Sequence, residues 1–456
     1  MRTLITDGIV VTAADTVPAD ILVEDEVIVA VGRNLGPADR TIDAAGRYVF
    51  PGGVDEHTHF GLPVSGTVSQ PWETESVAAA LGGTTTVVDF AMQQRGGSLL
   101  AGIRAWQEKA AGASAVDYGF HITVTDLHPE AIREIPRVVE EGVVTLKCLM
   151  AYKGSVMVDD DTLFRALQEG HRHGALVMIH CENGDVVAAL QGQLVAAGKT
   201  EPRYHAASRP PAVEAEATNR AIVLAELAGA PLLIVHVTSA DALDHIRAAQ
   251  GRGHPVYAET CPQYVTLTAD DLARPDFAGA RYVLSPALRS AAHHEALWSG
   301  LSSGSLQTAG SDHCAFTLEQ KALGRDDFRR IPNGIPAAEE RLPLLYSEGV
   351  ASGRLSLNRF VDAVATAPAR LMGLYPRKGT IAPGTDADLV IFNPEAEWIM
   401  GVATQHSGSD YSPWEGKPVR GAVETVLLRG EVIVEDGRYV GQLGQGQYIA
   451  RRPFAG

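Results

Sequence analysis

The stretch PGGVDEHTHF, residues 51–60, joins an apolar strand candidate to a pair of histidines, and the rest of the chain is read outward from it. Its core, VDEHTH at 54–59, opens a long alternation of strands and helices. Further strand candidates lie at 84–90, 116–124, 143–148, 175–180, 231–236, 255–260 and 306–312. Helical runs separate most of them, such as SLLAGIRAWQEKAAGA (98–113), AVEAEATNRAIVLAELAGA (212–230) and SADALDHIRAAQ (239–250). This pattern predicts an α/β protein built on a (β/α)8 barrel, with a doubly wound open sheet as the competitor. No GxGxxG follows the first strand, which weakens the dinucleotide-binding version of the open sheet.

Both chain ends read differently. TLITDGIVV (3–11), DILVEDEVIVAVG (20–32) and TIDAAGRYVF (41–50) are short strands divided by Asp-Gly and Gly-rich turns. ADLVIFNP (387–394) and ETVLLRGEVIVEDGRYV (424–440) repeat that style, so a small sheet domain is expected from 1–50 together with 380–456, around a barrel over 51–379.

Bulk properties restrict the function. A net charge of −17 argues against a nucleic-acid partner, which calls for a basic stripe. No run approaches the roughly 20 apolar residues that span a bilayer, and the N-terminus does not read as a signal peptide. Cys148, Cys181, Cys261 and Cys314 are scattered and form no CxxC pair, so neither a disulfide framework nor a zinc knuckle is expected. A reducing cytoplasm is the simplest setting.

The ionisable residues fall at strand ends. His57 and His59, spaced i, i+2, share one face of a strand. Lys147 closes the fourth strand, His180 the fifth, His236 the sixth and Asp312 the eighth. Active sites of such barrels lie at that C-terminal rim, where these six residues converge. Any one alone reads as a satisfied polar residue or a cap; the constellation reads as a metal site. Imidazole and carboxylate suit zinc, and a pair of ions needs a bridging group. Protonated lysine has no lone pair to give, so Lys147 serves only if it is buried, loses its proton and gains a carboxylate from CO2.

The motifs GGTTTVVDF, TLKCLMAYKGS, VMIHCEN, IVHVTS, ETCPQY and GSDHCAF follow PGGVDEHTHF in order. With QKALGRDDFRRIPNGIPAAEERLPLLY and SDYSPWEGKPVRG, they resemble the dihydropyrimidinase/D-hydantoinase branch of the cyclic amidohydrolases over nearly the whole chain. The resemblance implies a barrel with a β-sandwich domain, two zinc ions, and Lys147 carboxylated to bridge them. By position it gives His57, His59 and Asp312 to the more buried ion, and His180 and His236 to the other. It makes Tyr152 the donor to the reacting carbonyl oxygen, and the main chain at Ser285 and Asn333 the holder of the ring amide. It also implies a homo-oligomer, tetramer or dimer. The remaining histidines have no such assignment and read mostly as surface or packing residues.

The expected reaction is ring opening of a dihydropyrimidine or hydantoin to an N-carbamoyl amino acid. Asp312 passes the proton of the attacking hydroxide to the leaving nitrogen. An allantoinase is the rival within the superfamily, though IPNGIP and DDFRR favour the dihydropyrimidinase type. A non-catalytic scaffold relative is the rival outside it, and all six ligand positions stand against that. The loop 61–76 lacks the paired aspartates common near Trp72–Glu73, and Ala287 follows Pro286 where a double proline is usual, so substrate preference is left open. Leu62, Val64 and 154–158 are the expected apolar wall beside the exocyclic substituent.

Overall fold

The computed structural model describes residues 1–454. Eight parallel strands follow one another as Gly53–Thr58, Thr84–Met92, Asp117–Thr123, Thr145–Leu149, Leu176–His180, Leu232–Ile234, Val256–Thr260 and Thr308–Ala309, each paired with the next. Every residue of the first is buried, as a parallel strand covered on both faces requires. The ring closes just past the eighth strand, where Thr58 and His313 bridge in parallel and the His59 N–H donates to the His313 carbonyl at 2.8 Å. The fully buried Arg341 guanidinium fastens the same seam, donating to the carbonyls of Val54 and Ala309 at 3.1 Å each.

The expected helices form over Leu99–Ala110, Pro211–Ala228 and Ala240–Gly251. Ser98 and Ser239 cap two of them by accepting from the Ala101 and Ala242 N–H groups. The third starts on Pro211 and stops at the left-handed Gly229. Two strands end two or more residues before the sequence predicts, the sixth at Ile234 and the eighth at Ala309. His236 and Asp312, placed at those ends, have φ of 41° and 50°, a conformation that turns the chain out of the strand.

The two chain ends build one connected sheet of nine strands. Tyr48–Pro51 joins them, pairing with Arg2–Val11 on one side and antiparallel with Leu389–Met400 on the other. An antiparallel bridge between Val27 and Asp386 brings the outer N-terminal strand back, so the sheet wraps a core of Ile5, Ile21, Ile28, Val49, Leu389 and Leu427.

Where sheet and barrel meet, the buried Lys378 ammonium lies 2.6 Å from Asp117, 2.7 Å from Asp388 and 3.0 Å from Asp386. Burial alone lowers its pKa, but the three carboxylates outweigh it and hold the lysine well up. Replacing Lys378 by Met leaves buried Asp388 without its cation, while Asp386 keeps Arg377, a change worth about 3–5 kcal/mol of stability. The urea midpoint should fall accordingly, and an unchanged midpoint would show that Arg429, which also pairs with Asp117, suffices.

Candidate active site

All nine residues singled out in the sequence line one cavity of about 480 Å³ at the C-terminal mouth of the barrel: His57, His59, Lys147, Tyr152, His180, His236, Ser285, Asp312 and Asn333. Asp312 Oδ1 lies 3.2 Å from Nε2 of both His57 and His59, and the three donor atoms sit within 4.8 Å of one another. The His180 and His236 rings are 4.6 Å apart, and His236 is 5.4 Å from the His57 ring. Lys147 Nζ stands 4.8 Å over the Phe90 ring.

The protonation states suit ligands. Burial pushes His57 and His236 well below the ordinary histidine range and lowers His180 as well, leaving neutral imidazoles with lone pairs. Burial also draws the Lys147 amine down to about 8. Burial pushes Asp312 up, and only positive charge on the neighbouring groups, His57 first, holds it in the carboxylate form.

His57 tests whether a cation fits. Its Nδ1 lies 2.9 Å from Glu259 Oε2, and its Nε2 faces Asp312. A neutral imidazole has one N–H. With that proton on Glu259, an imidazole lone pair and a carboxylate oxygen face each other at 3.2 Å, and a neutral His57 supplies no positive charge to hold Asp312 down. A metal ion resolves both: bonds of roughly 2.0–2.1 Å in a tetrahedral shell put neighbouring donors roughly 3.3 Å apart. His59 Nδ1 and His236 Nδ1 are buried without protein partners. The donor set therefore fits a divalent ion.

Carboxylates behind the histidines escape a reading of strand ends alone. Glu259 orients His57, and Glu182 accepts from His180 Nε2 at 2.8 Å, turning Nδ1 of that ring to the cavity. Burial raises Glu182, but Arg209, with which it pairs, and His180 more than offset this and bring it to about 2. The sequence signal was there: each acid interrupts an apolar strand run or sits two residues past a proposed ligand. Gly310 answers to Glu259, because a Cβ at that position would lie 2.0 Å from Glu259 Oε1. Asp89 fixes the end of the first strand by accepting from Thr58 Oγ1, the Phe60 N–H and Trp106 Nε1.

Four cavity residues that are not glycine hold left-handed backbones: Ser65 (φ 52°), Tyr152 (φ 68°), His236 and Asp312. Such conformations cost on the order of 1–3 kcal/mol each and persist where surrounding structure fixes them. Burial raises the Tyr152 hydroxyl above its ordinary range, against smaller lowering effects of Arg209, Ser285 and Asn333, so it stays a proton donor. His205, given no role from sequence, is buried and donates from Nε2 to the Leu284 carbonyl at 2.8 Å beside Ser285. His313 is likewise buried; its Nδ1 accepts from the Ala337 and Ala338 N–H groups at 3.1 Å. All four cysteines are buried free thiols, and burial pushes Cys148 up to about 12, which leaves no thiolate nucleophile.

A parallel barrel with histidines and an aspartate converging at its C-terminal mouth defines a metal-dependent hydrolase class, and the chain belongs to the amidohydrolase family, whose model matches residues 48–433. Within it the chain falls in the D-hydantoinase/dihydropyrimidinase branch and is a cyclic amidohydrolase. It is 48% identical to a D-hydantoinase of Geobacillus stearothermophilus, over 100% of this chain and 97% of that one. It is 49% identical to a D-hydantoinase of Rhizobium radiobacter, over 100% of both. The crystal structure of a dihydropyrimidinase from Brevibacillus agri superimposes with a TM-score of 0.99 at 49% identity, covering 100% of both chains.

Proposed function

We propose that this enzyme opens the rings of hydantoins and dihydropyrimidines, hydrolysing the cyclic amide to an N-carbamoyl amino acid. The observation that carries the reading is the convergence of four imidazoles, Asp312, Lys147 and Tyr152 on one cavity in a chain similar over its full length to D-hydantoinases. His57, His59 and Asp312 would hold one ion, His180 and His236 a second, and Lys147 would bridge them as its CO2-derived carbamate. The low pKa of the lysine supports that last role, since the free amine is what adds to CO2. Two zinc ions would supply a Lewis acid for the carbonyl and a water acidic enough to attack near neutral pH.

The chain's own residues do the rest. Asp312 takes the proton of the attacking water and delivers it to the ring nitrogen as the C–N bond breaks. Tyr152 donates to the carbonyl oxygen as charge gathers there. The main chain at Ser285 and Asn333 holds the ring amide. Leu62, Val64 and Val156, which line the cavity, form the apolar wall for a substituent on the ring carbon, and the similarity to D-hydantoinases favours the D-enantiomer.

Assay of hydantoin, dihydrouracil, allantoin and both enantiomers of 5-phenylhydantoin tests the reading. Turnover of the first two and of the D-aryl compound is expected; allantoin as the preferred substrate would move the enzyme to the allantoinase class. In a Tyr152→Phe variant kcat should fall about 10²–10³-fold with metal content unchanged, the usual effect of losing one donor to a developing oxyanion. Unaltered kinetics would return Tyr152 to a packing role.

The same reading places the enzyme in a reducing cytoplasm, supported by the buried free cysteines, and as a homo-oligomer. Among the described residues no helix is long and apolar enough to cross a membrane. Light scattering on the purified protein tests the oligomer.

A further inference from the structure

Lys321 lies behind the substrate cavity, fully buried, and does not line it. Its ammonium donates to three backbone carbonyls, those of Val283 at 3.0 Å, Pro332 at 2.7 Å and Gly334 at 2.6 Å. These carbonyls belong to the two segments that carry Ser285 and Asn333. Burial draws the amine down to about 7 despite a smaller raising effect of Cys314, but three carbonyl acceptors call for three donors, which only the ammonium has.

The peptide planes carry the argument. The peptides on either side of Asn333 are trans, so the N–H and C=O of each point in opposite directions. Pro332 turns its carbonyl to Lys321, which turns the Asn333 N–H the other way. Gly334 donates its N–H to the Val283 carbonyl at 3.0 Å, the same oxygen that Lys321 holds, which turns the Asn333 carbonyl the other way too. Asn333 therefore presents an adjacent N–H and C=O on the side away from Lys321, and among the described residues neither group has a hydrogen-bond partner. A ring amide offers the complementary pair, with its N–H and C=O fixed on one side of the ring. Gly334 is part of the device, since at φ 136° a Cβ would lie 2.4 Å from the Cys314 carbonyl oxygen.

We propose that Lys321 is a positioning residue, whose three hydrogen bonds hold the Asn333 peptide groups in the orientation that recognises the ring amide. The inference deepens the functional reading above and rests on it.

Kinetics of Lys321→Met and Lys321→Gln on hydantoin, with metal content and melting temperature measured in parallel, test it. Methionine is unbranched, one atom shorter than lysine, and donates nothing; glutamine retains two donors. The expected result is a KM raised about tenfold in Lys321→Met, with kcat within about threefold of the parent and metal content intact, and a smaller rise in Lys321→Gln. An unchanged KM in Lys321→Met would overturn the proposal. So would a loss of kcat, metal or folded protein in both variants that matches or exceeds any rise in KM, which marks a scaffold residue. Failure of the parent enzyme to open either hydantoin or dihydrouracil would be a different result, removing the functional reading on which the proposal stands.

Discussion

Replacing Asp312 by alanine should abolish turnover, with kcat lowered by roughly 10⁴-fold or more and the metal content of the purified protein reduced. The size follows from two roles meeting in one carboxylate. Oδ1 is equidistant from His57 and His59, so its removal takes away the one anionic group of that donor cluster. In the proposed mechanism the same carboxylate carries the proton from water to leaving nitrogen, a role worth about 10²–10⁴-fold by itself. An Asp312→Asn variant separates the two, since an amide oxygen still offers a lone pair but cannot carry the proton. It should retain more metal than the alanine variant and remain nearly inactive. A metal-loaded Asp312→Ala enzyme with substantial activity would remove Asp312 from the mechanism.

Loss of the Lys147 side chain should be comparably severe. Among the residues lining the cavity Lys147 is the one lysine and Asp312 the one carboxylate, so no other side chain there can supply a second anion by carboxylation. In Lys147→Ala, two divalent ions would be left close together with Asp312 as the one carboxylate among the ligands, and their mutual repulsion should expel at least one ion. Lys147→Arg discriminates between a bridge and a mere cation, because arginine keeps the charge but is always protonated and cannot add CO2. Both variants should lose activity by roughly 10³-fold or more and bind less zinc. The intact protein, under native mass measurement in bicarbonate, should carry the mass of one CO2 on residue 147. Full activity in Lys147→Arg would rule the carbamate out.

How much of this could be read from sequence depended on distance along the chain. The first seven barrel strands were legible because each is an apolar run bounded by turn residues, and the proposed ligands stood out as ionisable groups ending such runs. The sixth and eighth were legible in place but not in length, because the chain leaves both strands before His236 and Asp312, whose left-handed backbones no glycine announces. Glu259 was not assigned, since its meaning comes from His57, 202 residues away, and only the fold brings them to 2.9 Å. The same holds for His205 beside Leu284 and for Lys321 under the Asn333 loop. Local pattern marks an acid such as Glu259 or Glu182 as unusual in its strand or near a ligand, but it does not say which distant group that acid orients.

The central claim is that this mouth holds a metal pair that opens a cyclic amide. Its most direct test is the rate of N-carbamoyl amino acid formation from hydantoin by enzyme stripped with a chelator and titrated with Zn²⁺ in bicarbonate. The account predicts no turnover in the stripped enzyme and recovery that levels off near about two ions per subunit. Undiminished turnover by metal-free enzyme, or no turnover at any zinc loading, would contradict it.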